Sequence, residues 1–144
     1  MTDVIYRAAR ALGELSAASS ANVLGRALSD PDIAVRRVAA AALGELDDLH
    51  TAPSGLVAAL QSSAAELREH AASALAEIAD PTTASALVGL LTDKNRDIRK
   101  HAVEALGEIG TPVAVSGLTR ALEDRDAEVR RAAVEALGEA KERN

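Results

Sequence analysis

The chain has 144 residues and a formal net charge of −6, with 48% apolar residues that are mostly Ala, Leu and Val. Phe, Trp and Cys are absent and Tyr6 is the only tyrosine, a mix that favours helices over sheets and excludes disulfides, thiolate metal sites and cysteine nucleophiles. Acidic and basic residues are interleaved without a basic stripe or stacking aromatics, no apolar run nears the roughly 20 residues of a membrane span, and the N-terminus lacks the apolar core of a signal peptide, so a cytoplasmic protein that binds neither nucleic acid nor membrane is expected.

The first predicted element is a helix over about residues 2–15, a half-repeat (1–16) with no partner helix before it. Four units follow, over about 17–47, 48–79, 80–110 and 111–144. The half-repeat and the four units are marked in turn by ALGEL at 11–15, ALGEL at 42–46, ALAEI at 74–78, ALGEI at 105–109 and ALGEA at 136–140. The leucines of that motif, Leu12, Leu43, Leu75, Leu106 and Leu137, are 31, 32, 31 and 31 residues apart. Eight residues before each stands Val4, Val35, Leu67, Ile98 or Val129, and in the last four copies Arg36, Arg68, Arg99 or Arg130 comes next, against Ile5 in the first. Upstream in each full unit runs a second series, Leu24, Leu56, Leu87 and Leu118, each with a leucine four residues on (Leu28, Leu60, Leu91, Leu122).

Each unit is thus read as two helices. The first is short and carries the leucine pair, for example over Pro112–Leu122. The second is longer, for example over Asp126–Lys141. In one copy Val35, Ala39, Ala42, Leu43 and Leu46 make a single apolar face at the 3.6-residue period. Asp30-Pro31 suits a cap followed by proline in the first turn, and Gly110-Thr111-Pro112 suits a helix stop and a new start. Gly13, Gly44, Gly107 and Gly138 sit inside helices, at about 1 kcal/mol relative to Ala, so close approach of the neighbouring helix is expected there. A hairpin of this kind buries its apolar face only against its neighbours, which makes the chain an all-α solenoid of about four and a half units. The C-terminal Lys141-Glu142-Arg143-Asn144 reads as a polar cap, whereas the bare first helix reads as part of a longer protein or a frayed end, with pairing to another copy as a homodimer the alternative.

The stretch Asp124-Arg125-Asp126-Ala127-Glu128-Val129-Arg130-Arg131-Ala132-Ala133-Val134-Glu135-Ala136-Leu137-Gly138-Glu139 resembles HEAT-like repeats of the phycobilisome-lyase type, and the resemblance extends over nearly the whole chain. It implies a right-handed superhelix of helix pairs, with the second helices lining a concave face. It also implies that the arginine after the valine-type position bonds an acidic residue near the turn. Asp30, Asp93 and Asp124 fit that pattern, while Ser62 departs from it, so a looser second full junction is expected. The family includes chromophore (bilin) lyase subunits, a metal-dependent hydroxylase and adaptors.

Chemistry-bearing residues are few. His50 lies in a turn. His70 and His101 each follow a carboxylate by four residues, Glu66 and Asp97, on neighbouring second helices, so two imidazoles and two carboxylates could converge on a metal. First-turn acids account for the same pattern through the helix dipole. The hydroxylase-type resemblance requires His-Glu dipeptides, and here Glu69-His70 and Lys100-His101 stand instead. No metal, cofactor or catalytic residue is therefore expected, and no nucleophile or phosphate-loop motif is present.

The remaining candidate is a surface. Positions two, three, six and ten after the valine-type residue lie opposite the buried stripe: Arg37, Val38, Ala41, Glu45; Glu69, His70, Ser73, Glu77; Lys100, His101, Glu104, Glu108; and Arg131, Ala132, Glu135, Glu139. The fourth column is always Glu. A protein-interaction scaffold that holds a protein or peptide with basic groups is expected, through Arg37, Glu69, His70, Ser73, Lys100, His101, Glu104, Arg131 and Glu135. A bilin-lyase subunit or similar repeat-enzyme assembly is the alternative.

Overall fold

Short polar turns start each second helix, and they do so by one repeated device. In the computed structural model, which describes residues 23–28, 30–44 and 51–143, Asp30, Asp93 and Asp124 each accept a bond from the backbone N–H two residues on, at 2.9 Å. Asp32, Asn95 and Asp126 then accept from the N–H groups of Ala34, Asp97 and Glu128, each at 2.8 Å. Two orphan donors per helix start are satisfied in this way. Asp30-Pro31 therefore forms the turn before the helix rather than its cap: the helix begins at Ile33, two residues past the proline. In the third copy Ser62 and Ala64 occupy these positions, Ser62 Oγ accepts from Ala64 at 3.1 Å, and Ala64 provides no side-chain cap.

After a helical turn over residues 23–27, the elements are α1 (Ile33–Gly44), α2 (Ser54–Ala59), α3 (Ala65–Ile78), α4 (Ala84–Gly89), α5 (Arg96–Ile109), α6 (Pro112–Ala121) and α7 (Ala127–Arg143), with 3₁₀ turns at Pro81–Thr83 and Leu90–Thr92 on either side of α4. No strand occurs among the described residues. The second helices stack in chain order, α1 on α3 on α5 on α7, and the first helices α4 and α6 pack beside them and on each other. This is the expected α-α solenoid. The first helix, over about residues 2–15, lies outside the described residues, and so does the alternative of a homodimer through it.

The two leucine series and the valine-type positions form the core. Val35, Leu67, Ile98 and Val129 are all buried, as are Leu43, Leu75 and Leu106, together with Leu24, Leu56, Leu87 and Leu118 from the first helices. The second leucine of the short helices drifts outward: Leu28 and Leu60 are buried, whereas Leu91 and Leu122 are half-buried and pack against the core from outside. Helix ends follow the turn chemistry. Gly110 closes α5 in the left-handed region at φ 66°, and Thr111 then caps α6 ahead of Pro112. Ala79 closes α3 in the same left-handed conformation at φ 53°, where a Cβ is strained.

The arginine after the valine-type position does two jobs. Arg36, Arg68, Arg99 and Arg130 each donate to the backbone carbonyl six residues earlier, that of Asp30, Ser62, Asp93 or Asp124, at 2.7–2.8 Å. Its carboxylate partner belongs to the next unit: Arg68 Nε meets Asp93 Oδ2 and Arg99 Nε meets Asp124 Oδ2, both at 2.9 Å and largely buried. The resemblance implied an arginine-to-acid bond near the turn. The structure places that bond across the junction, so the departure at Ser62 removes a partner from Arg36, not from Arg68. Asp80 makes a parallel clasp between first helices. Its buried carboxylate accepts from Ala52 N at 2.8 Å, one unit earlier, and from Thr82 N and Oγ1 at 2.9 and 2.8 Å.

Two stability outcomes follow from these contacts. A Cβ on Gly107 would lie 2.8 Å from Ala136 Cβ, whereas beside Gly138 there is open space. Gly138→Ala is expected to raise unfolding stability by about 0.5–1 kcal/mol through helix propensity, and Gly107→Ala to lower it; urea denaturation of both variants measures the contrast, and equal shifts would contradict the close approach. Asp80 is the pH-dependent case. Burial pushes its carboxyl up, but the hydrogen bonds from Ala52 and Thr82 outweigh this and hold it below the ordinary value of 3.8. A lowered folded value means that its stabilisation is complete above pH 3.8 and is lost as pH falls through the folded value. Asp80→Ala should cost about 2–3 kcal/mol at neutral pH, and the gap to the parent should narrow under acid, as thermal melts against pH will show.

Candidate functional site

A repeat that presents the same helix face in successive copies lines up equivalent positions in columns. Here the columns frame a groove of about 570 Å³ lined only by second helices: Ala76 and Glu77 from α3; Lys100, Glu104 and Glu108 from α5; Glu128, Arg131, Ala132, Glu135, Ala136 and Glu139 from α7. Six of these residues are glutamates and two are cations, so the groove is acidic. Its floor is alanine, because the stacked helices approach closely there, and its walls are long charged side chains.

Of the nine residues expected on this face, four line the groove: Lys100, Glu104, Arg131 and Glu135. Glu104, Arg131, Glu135 and Ser73 are exposed, while Arg37, Glu69, His70, Lys100 and His101 are half-buried. Arg37 lies on α1, away from the groove, and forms an ion pair with Glu66 of α3. Glu69 and His101 face each other across α3 and α5: His101 Nε2 lies 3.3 Å from Glu69 Oε1, and its Nδ1 lies 3.5 Å from Glu104 Oε2. His101 therefore joins two units through Glu69 and meets Glu104 on its own helix, in place of the Asp97 pairing suggested by four-residue spacing. Glu66 is likewise taken up by Arg37. Among the described residues no three His, Asp or Glu side chains are placed to hold a metal ion.

The column rule fails at one position. Ala132, expected on the open face, is only 7% exposed and sits at the groove's floor. The face is narrower than the helical period alone indicates, because adjacent second helices cover its edge. Glu128, conversely, stands one residue before the valine-type Val129 and was not among the expected positions, yet it lines the groove. Its signal in the sequence was weak, since an acid in the first turn of a helix is explained by the dipole alone. Glu45, Ala41 and His50 lie outside the residues whose side chains are described. No helix among the described residues is long and apolar enough to cross a membrane.

The profile of HEAT repeats matches residues 2–68 and 53–138. No curated protein matches the sequence. Among solved structures, one chain of the complex of CpcE and CpcF of phycocyanin lyase from Nostoc sp. PCC7120 is 29% identical with a TM-score of 0.75; the match covers 95% of this chain and 59% of that one. The chain thus spans well under two thirds of its lyase relative. Human deoxyhypusine hydroxylase in complex with glycerol is 23% identical, with a TM-score of 0.73 over 85% of this chain and 43% of that one. A designed armadillo repeat protein in complex with the peptide (KR)4 is also 23% identical, with a TM-score of 0.67 over 97% of this chain and 80% of that one. At that identity the last two likenesses concern the fold alone.

Proposed function

This chain belongs to the HEAT-repeat family, and from that premise we propose that it is a protein-interaction scaffold whose second helices hold a protein or peptide segment carrying basic groups. The observation that carries this reading is the charge of the groove, six glutamates against Lys100 and Arg131 along three successive helices. A cationic segment laid along it meets a carboxylate from each helix in turn. The architecture suits the task, since the same fold holds (KR)4 in the designed armadillo protein. Tyr6 apart, the chain contains no aromatic residue to act as a hot-spot anchor, so affinity comes mainly from electrostatics and is modest.

A second reading, a subunit of a bilin lyase, is favoured by the 29% identity to a phycocyanin lyase chain. It predicts that added bilin changes its absorbance spectrum on meeting the protein. The scaffold reading predicts an unchanged spectrum.

The direct test is calorimetric titration with a peptide of alternating lysine and arginine, against a glutamate-rich peptide of equal length. Binding of the basic peptide is expected in the micromolar range, about −8 kcal/mol, and should weaken by roughly tenfold or more between low and high salt. Replacing both Glu104 and Glu135 by Lys should abolish it without loss of helicity, because both side chains are exposed. Binding that ignores salt, or that survives the double reversal, would sink the electrostatic reading.

A further inference from the structure

The groove is acidic in sum, but its charges are sorted along the helices. Lys100, Glu104 and Glu108 stand four residues apart on α5, and Arg131, Glu135 and Glu139 repeat the same row on α7. All six line the groove. Four residues of helix rise about 6 Å, so the rows set one cationic column beside two carboxylate columns, about 6 and 12 Å further toward the helix C-termini. On α3 the row reads Glu69, Ser73 and Glu77, and Glu69 is taken up by His101 at 3.3 Å. The cationic edge therefore belongs to α5 and α7. This face runs along the stack, not across either end of it.

Helix chemistry does not account for this order. The dipole disfavours a carboxylate near a helix C-terminus, yet Glu77 and Glu108 are next to last in α3 and α5. A cation four residues before a glutamate is the weaker of the two orientations at that spacing. Neither Lys100 nor Arg131 forms an ion pair among the described residues, although Glu104 and Glu135 stand one turn away. Two cations without partners, side by side on helices roughly 8–10 Å apart, are placed to take one carboxylate between them.

Resting on the scaffold reading above, we propose that the partner is a mixed-charge segment, an extended chain laid along α5 and α7 with one carboxylate held between Lys100 and Arg131 and basic side chains over the two glutamate columns. In an extended segment every second side chain points the same way, and two residues rise about 6.6–6.8 Å, close to the spacing of the columns. The matching pattern is an acid with Lys or Arg at the second and fourth positions from it, in either chain direction. An amphipathic helix is the poorer occupant, because the apolar lining is alanine and offers no pocket for large anchors.

Calorimetric titration with two peptides of equal length tests this, one built on Asp-x-Lys-x-Lys and the other with Asn in place of Asp. The Asp peptide carries one positive charge fewer, so attraction to an acidic groove alone makes it the weaker ligand. The sorted columns make it the tighter one, by roughly three- to tenfold at low salt. Moving the acid to the centre, as Lys-x-Asp-x-Lys, keeps the charge and should bind more weakly than either. Changing both Lys100 and Arg131 to Gln should reverse the order, so that the Asn peptide binds the tighter, with circular dichroism as the control for folding. Arg131→Gln alone, at an exposed position, should move the preference the same way by less. An Asn peptide that binds the unaltered protein as tightly as the Asp peptide overturns the proposal and leaves the scaffold reading standing. So does a preference for Asp that survives the double Gln variant, which would place the carboxylate elsewhere. If none of the peptides binds, the scaffold reading fails and this inference with it.

Discussion

Where Gly107 meets Ala136 there is no room for a methyl group, and almost everything else in the molecule depends on that closeness between successive second helices. A single hairpin of this chain has one apolar face and no means to cover it. Stacking supplies the cover, and close stacking requires small side chains at the line of contact. The high alanine content is therefore structural, since Ala39, Ala71, Ala102 and Ala133 recur at one position of α1, α3, α5 and α7 and are fully buried at each. Polar clasps then hold the register. Arg68 and Arg99 each bind a carbonyl of their own unit and a carboxylate of the next, so one guanidinium fixes both the turn behind it and the helix ahead. Planar multidentate donors suit this role, and a lysine would satisfy only part of it.

The same register explains why a groove exists at all. If each unit repeats its neighbour, the residues not used in stacking must form columns, and their side chains must converge on the side toward which the helices lean. Glutamates recur in these columns at 77, 108 and 139 and at 104 and 135. Their charges are of one sign and separated by about one helix diameter, roughly 8–10 Å. At that spacing they repel weakly through solvent, which the stacked core tolerates, and together they set a potential that an opposite charge feels along the whole face. Acidity here is a property of the repeat, so it extends with each unit added.

The two-helix unit, its period and its buried positions were legible because packing dictates them, and packing recurs. The valine-type residues, the first leucine of each pair and Gly107 behave as their spacing indicated. Other features depended on pairs of units and were harder to read. Arg99 and Asp124 are 25 residues apart, a distance that no helical period encodes, so a bond implied within one turn is found across a junction. His101 likewise faces Glu69, 32 residues earlier, because stacking outweighs the local four-residue spacing to Asp97. Ala132 was misplaced for a related reason: a helical wheel knows the period of one helix but not how far its neighbours wrap around it. Ala79, in the left-handed conformation that Gly110 adopts one unit later, shows a turn keeping its shape without the residue that favours it.

That tolerance is uneven along the stack. Between α1 and α3 the buried carboxylate is missing, since Ser62 stands where Asp93 and Asp124 receive their arginines, and Ala64 gives α3 no side-chain cap. The ion pair that does cross this junction, Arg37 with Glu66, has both side chains substantially exposed, and exposed pairs contribute little. The Asp80 clasp on Ala52 N lies at the following junction, between the unit of α2 and α3 and the unit of α4 and α5, and adds nothing at this one. In a linear stack, stability is a sum of nearest-neighbour terms, and local opening begins where a term is smallest. The polar clasps therefore favour opening between α1 and α3, and the units from α3 onward, which carry the groove, are held together by the buried Arg68–Asp93 and Arg99–Asp124 pairs.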